Sequence, residues 1–327
     1  PERKGFQTWT EALAAARDGK IEAADLLVKL AANPDAPSIA RATAFESLAL
    51  YPGREALTAA ERGLADADPL VRMAALRTLR PLPLQQSWPL ANRLLADPVL
   101  GVRIEAASLF AAVPPDRVPP ADRERLSRAI DDYVSAQRLN ADRPESRVNL
   151  GNLYAQRGQP AEAEAEYRAA RTLDPSFTPA TVYLAQLYAG QGRDAEGERL
   201  LRDDLQRRPE DAELHLALGL NLVRQHRSAE ALGEIGRAAE IDPGNARYAY
   251  VHGVALNGVG RVDEALAVLE ASHALHPAER ETLVALVTIS RDAGRTADAL
   301  AWAERLVAID PSARPILDQL RLQVRPH

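Results

Sequence analysis

The chain has 327 residues, 46% hydrophobic and 26% charged, with a formal net charge of −6, a balance that excludes a disordered tail or a fibrous composition. It contains no cysteine, which removes disulfides, thiolate metal sites, a cysteine nucleophile and CxxCH haem attachment from these residues. Residues 1–143 carry 19 basic and 19 acidic side chains and residues 144–327 carry 21 and 27, with lysine only at Lys4, Lys20 and Lys29; an acidic region without lysine lacks the basic face that displaces counterions from phosphates, so no nucleic-acid partner is expected.

From the N-terminus, Thr8-x-x-Glu11 reads as a capping box that starts a helix through Trp9 and Leu13. A 31-residue period follows. Asp35 and Arg41, Asp66 and Arg72, and Asp97 and Arg103 each stand six residues apart. The arginines sit in Ala40-Arg41-x-Thr43-Ala44-Phe45, Val71-Arg72-x-Ala74-Ala75-Leu76 and Val102-Arg103-x-Glu105-Ala106-Ala107. This segment resembles HEAT-like repeats. The resemblance implies stacked second helices whose arginine pairs with an aspartate at the preceding turn, so the six residues are expected to form a structural ladder rather than a ligand site. The four prolines of Val113-Pro114-Pro115-Asp116-Arg117-Val118-Pro119-Pro120 preclude a helix inside that run. They place a boundary there: residues 1–118 are expected to be HEAT-like repeats with the N-terminal helix as a cap.

Beyond the boundary the period changes to 34. Pro175, Pro209, Pro243, Pro277 and Pro311 recur at that interval. In register with them, small residues fall at Gly151, Ala185, Gly219, Gly253 and Val287 of a first helix, and at Ala163, Gly197, Ala231, Ala265 and Ala299 of a second. Small side chains let two helices approach within the usual axis separation of roughly 8 to 10 Å. Gly158, Gly192, His226, Gly260 and Gly294 mark the turn between them, where a left-handed C-cap is needed. An imidazole tolerates that conformation better than most side chains. Larger core positions are Leu150, Leu184, Leu218, His252 and Leu286, then Tyr167, Leu201, Ile235, Leu269 and Ala303. The pattern resembles the tetratricopeptide repeat, in five copies over 144–313. Ala129, Tyr133 and Ala136 supply a half repeat within 119–143, and a capping helix with Ile316, Leu317, Leu320 and Leu322 covers the far end within 314–327. The fold class expected is therefore all-α, an α-solenoid of right-handed superhelical form, HEAT-like and then tetratricopeptide-like.

Chemistry-bearing motifs are few. His215, His226, His252, His273, His276 and His327 have no HExxH, paired carboxylates or CxxC beside them. His252, His273 and His276 are the one conceivable metal set; the plainer expectation is that His252 replaces a core leucine and His276 the aspartate before Pro277. No P-loop or dinucleotide-binding glycine motif follows a strand, and no GxSxG occurs. No catalytic residue, metal or cofactor is expected.

A stack of helical hairpins instead offers a long concave face lined by each first helix. In the tetratricopeptide register that face is expected to include Asn152, Gln186, Leu220, Val254 and Thr288. One turn earlier come Val148, Val182, Leu216, Tyr250 and Val284. Asn149 and Asn152 can hydrogen-bond a peptide backbone, while Leu216, Leu220, Tyr250 and Val254 can hold an apolar side chain or an amphipathic helix. The family's two-carboxylate clamp for chaperone tails implies basic residues in this groove. Here no lysine is present, and Glu145, Glu213 and Glu281 recur near the entrance, which suits a neutral or basic partner.

The order of repeats, opening on Gly5-Phe6-Gln7-Thr8-Trp9 and Glu11-Ala12-Leu13-Ala14-Ala15-Ala16, also resembles the C-terminal part of bacterial multihaem cytochrome c proteins. That resemblance implies a periplasmic docking arm for electron transfer, with the haem-bearing segment upstream of Pro1; a cytoplasmic location is the alternative. No apolar run is long enough for a membrane span, so no membrane insertion is expected. The functional expectation is a non-catalytic scaffold that binds a protein or peptide partner in the groove of 144–313.

Overall fold

The structure, a computed structural model, describes residues 5–20, 22–51, 53–114 and 117–324. Those residues form helices and turns with no strand. Pro115, Asp116 and His327 of the sequence reading lie outside them, as do the side chains of residues 5–8. The chain divides into two compact units, one of residues up to 18 with 22–183, the other of 19–21 with 184 onward. The division falls inside a helix of the 34-residue array, so the first of those repeats belongs to the first unit. Packing and the 34-residue period divide the chain at different places.

In the first unit, α1 (Gly5–Arg17) precedes three hairpins: α2 (Ala23–Ala31) with α3 (Ser38–Leu48), α4 (Arg54–Gly63) with α5 (Pro69–Thr78), and α6 (Leu84–Ala91) with α7 (Leu100–Phe110). Helix α1 is already helical at Gly5, three residues before Thr8, so Thr8 is not its N-cap. Pro89 removes a donor inside α6, which passes into a 3-10 segment at Asn92–Ala96. The second helices stack, α3 on α5 and α5 on α7. Phe45, Leu48, Leu76 and Phe110 are sealed between them. The described residues between α7 and α8 (Pro120–Leu139) carry no α-helix, as four prolines dictate. Helix α8 packs on α7 and on α9 (Pro144–Gln156), which pairs with α10 (Pro160–Leu173).

Four further hairpins continue the array: α11 (Thr178–Gly190) and α12 (Asp194–Arg207), α13 (Ala212–Arg224) and α14 (Ser228–Ile241), α15 (Ala246–Gly258) and α16 (Val262–Leu275), α17 (Arg280–Asp292) and α18 (Thr296–Ile309). Each first helix has 13 residues and each second helix 14. Every second helix ends two residues before its proline, because proline disfavours the α conformation in the residue preceding it. The turns adopt the left-handed conformation expected of them, φ +70° at Gly158, +71° at Gly192, +82° at Gly260, +73° at Gly294 and +59° at His226. Gly151, Gly219 and Gly253 lie against Tyr167, Ile235 and Leu269 of the partner helix, with no room for a Cβ. Helix α19 (Arg314–Val324) follows α18 and buries Leu317 and Leu320, while Ile316 and Leu322 are exposed. Both units are thus all-α solenoid stacks in which a hairpin buries its apolar face only against its neighbours.

Candidate partner-binding face

The arginine ladder joins successive hairpins rather than the ends of one. Arg41 pairs with Asp66, Arg72 with Asp97 at 2.8 Å, and Arg103 with Asp132 of α8 at 2.7 Å. Within their own hairpins Arg72 and Arg103 reach main chain: Arg72 donates to the carbonyl of Asp66 and Arg103 to that of Asp97, both at 2.9 Å. This corrects the pairing expected from the six-residue spacing. A side chain six residues on is met by a carbonyl at the turn, whereas the carboxylate there turns to the arginine of the preceding hairpin. Asp35 has no preceding arginine of the series and is exposed. The three rungs fix one hairpin on the next.

In the 34-residue array, the expected groove residues divide by burial. Val148, Val182 and Leu216 are 4%, 5% and 0% exposed and drop out of the face. Leu216 is covered by Ile235 and Ala238 of α14 and Tyr248 of α15. Leu220, Tyr250, Val284 and Thr288 remain half-buried, and Val254 is 43% exposed. These five lie in the second unit, as does exposed Gln186. In the first unit Asn149 is exposed and Asn152 half-buried, its Oδ1 accepting from the Tyr167 hydroxyl at 2.7 Å. Burial holds the Tyr167 phenol far above its ordinary pKa, so it stays a donor.

Of the rim carboxylates, Glu213 is engaged by Arg247 at 3.3 Å and the Tyr248 hydroxyl at 3.0 Å. Glu281 shares a hydrogen bond with Glu279 and is raised by it, while Glu145 is exposed. The histidines of the conceivable metal set have separate partners. His273 stands edge-on to Trp302 at 5.4 Å, the His276 Nε2–H donates to the carbonyl of Gly244 at 2.7 Å, and His252 lies against Gly236.

The sequence reading missed one cavity. Between α7, α8 and α9 is a space of about 290 Å³ whose polar lining includes Glu105, Ser108, Gln137, Asn149, Asn152 and Gln156. Glu105 is 9% exposed and held by Arg77 at 3.1 Å and Arg80 at 2.8 Å. Its signal was visible, since Glu105 stands where the preceding repeat has Ala74. The aromatic stack of Tyr167 on Tyr183, centroids 6.0 Å apart with Tyr183 37% exposed, was missed as well.

Two family models described as tetratricopeptide repeat match residues 155–219, and 121–176 with 250–314. Among solved structures, yeast Tom70 is similar at 16% identity over 93% of this chain and 64% of that one, with a TM-score of 0.58. TTC0263, a tetratricopeptide-repeat protein of Thermus thermophilus, is 21% identical over 55% and 99%, with a TM-score of 0.43. YrrB, described as a tetratricopeptide-repeat protein with an unusual peptide-binding site, is 22% identical over 58% and 95%, at 0.41. No curated protein matches the sequence. The matched segments together span about half of the chain, from α8 into α13 and again from α15 to α18, so this part of the chain is built of tetratricopeptide repeats.

Proposed function

We propose that the chain is a non-catalytic scaffold that holds a protein or peptide partner against the first helices of its second unit. The observation that carries this reading is the strip formed by Leu220 of α13, Tyr250 and Val254 of α15, and Val284 and Thr288 of α17. These side chains stay partly uncovered at equivalent repeat positions while Leu218, Leu222 and Leu286 beside them are sealed. Apolar surface left at two neighbouring repeat positions, 220/254 and 250/284, suits an apolar side chain or one face of an amphipathic helix. Charged neighbours set rate and selectivity more than affinity, and Arg247 of α15 and Arg280 of α17 are paired with Glu213 and Asp310.

The test is partner capture with purified protein, comparing wild type with Val254→Glu, a substitution at an exposed position that leaves the core alone. Loss of the captured partner with unchanged helicity by circular dichroism supports the strip. Undiminished capture by Val254→Glu and by Tyr250→Glu moves the site elsewhere.

A further inference from the structure

Helix α2 packs on α4, and between the two lies a hollow of about 240 Å³. Its middle is small and apolar, formed by Val28 and Ala32 from the α2 side and Ala59 of α4. The Thr58 hydroxyl donates to the main-chain carbonyl of Arg54 at 2.9 Å, so it is spent within its own helix. Arg54, Thr58 and Arg62 follow one another at four-residue steps along α4, which sets the two arginines about 12 Å apart along the axis.

Both guanidiniums are exposed, and among the described residues neither meets a carboxylate. That sets them apart from Arg41, Arg72 and Arg103 of the same unit, each held by an aspartate. Glu55, the acid of the lining, has its Oε2 3.8 Å from where a Cβ on Gly53 would stand, beside the N-terminus of its own helix, where a carboxylate is favoured. Asp25, Lys29 and Glu61 stand outside the lining. The hollow therefore has an apolar middle with an unpaired cation at each end. Its complement is a pair of carboxylates about 12 Å apart with an aliphatic side chain between them, the spacing of i, i+4 and i+8 on a helix. The two carboxylates of a single chain-end residue are much closer together, so an internal acidic segment is the match.

We infer that this hollow docks an acidic amphipathic helix of a partner protein, with one aliphatic side chain seated between α2 and α4 and a carboxylate on either side of it paired with Arg54 and Arg62. The hollow lies wholly in the first unit and does not depend on the strip of the second. Exposed ion pairs speed association, weaken with salt and add little affinity singly, so the aliphatic anchor is needed as well as the charges.

The full chain is titrated calorimetrically at low salt with an alanine-based helical peptide, acetylated and amidated at its ends, that carries Glu, Leu and Glu at i, i+4 and i+8. Arg54→Glu with Arg62→Glu, both exposed positions, is expected to weaken the peptide at least tenfold with an unchanged urea midpoint. Thr58→Trp, which fills the hollow from an exposed position, is expected to do the same. On the wild-type protein, exchanging both peptide glutamates for lysine or the leucine for serine is expected to lower affinity at least tenfold, a comparison that no loss of folding can disturb. Val254→Glu is expected to leave binding unchanged, which separates failure here from failure of the strip. The proposal is overturned if the peptide does not bind at concentrations on the order of 1 mM, if the double variant binds it like wild type, if the lysine peptide binds as tightly, or if Val254→Glu abolishes binding.

Discussion

Arg72 donates from Nε and Nη2 to both carboxylate oxygens of Asp97, at 2.9 and 2.8 Å, across 25 residues of chain. The two side chains are nearly sealed, 11% and 5% exposed. Asp97 also accepts from the main-chain N–H of Val99 at 2.9 Å, so one carboxylate both closes the turn before α7 and holds the preceding hairpin. A pair of this kind contributes little over a well-packed apolar replacement, yet removing one partner strands a buried charge at a cost of roughly 3–5 kcal/mol.

Asp97→Ala is therefore expected to destabilise the first unit by about 3 kcal/mol, and the double change Arg72→Met with Asp97→Leu by much less. Urea unfolding, with hydrogen exchange read in α5 and α7, distinguishes the two. Equal losses would mean that packing volume rather than the stranded guanidinium sets the cost.

His226 holds the left-handed turn, φ +59°, that glycine holds in the four equivalent hairpins. A left-handed non-glycine residue costs about 1–2 kcal/mol, and glycine returns part of that as extra freedom of the unfolded chain. His226→Gly should stabilise α13 and α14 by roughly 0.5–1 kcal/mol. Slower amide exchange in those helices is the expected readout; faster exchange would contradict it.

A Cβ at position 219 would meet Ile235 Cγ1 at 2.5 Å and the carbonyl of Ala231 at 3.1 Å. Gly219→Ala gains about 1 kcal/mol of helix propensity. Overpacking of a tight helix pair costs typically 1–3 kcal/mol, so net destabilisation is expected, measured as a lower denaturation midpoint. Gly158→Ala, in open space at positive φ, is expected to destabilise through backbone strain alone.

Two half-buried histidines make the second unit sensitive to acid. Burial and then Arg261 lower His252, against the opposing carboxylates Glu240 and Glu264; burial and then Arg305 lower His273. The unfolded chain, with imidazoles at the ordinary 6.5, takes up protons first. Their contribution to stability is complete above pH 6.5, falls as the pH drops toward the lower folded-state values, and levels off beneath them. His252→Leu, the residue at this position in other repeats, should flatten part of that decline in a pH series of thermal midpoints. An unchanged slope would assign the decline to other groups.

The sequence by itself determined the helical pairs of the 34-residue array. Its prolines stop each second helix, four glycines and His226 close the turns, and its small residues mark the close approach, all through local sterics that need no knowledge of neighbours. What the tertiary structure decided was which surfaces survive stacking. Val148, Val182 and Leu216 are apolar at the expected spacing and are covered, whereas Tyr250 and Val284, at the position equivalent to Leu216, are not; the difference is a neighbour's side chain, which no periodicity within one helix encodes. The same holds for Arg72, whose spacing to Asp66 is local while its carboxylate partner arrives from the next hairpin. The cavity beside Glu105 likewise exists only because three helices distant in sequence bring their polar side chains to one place.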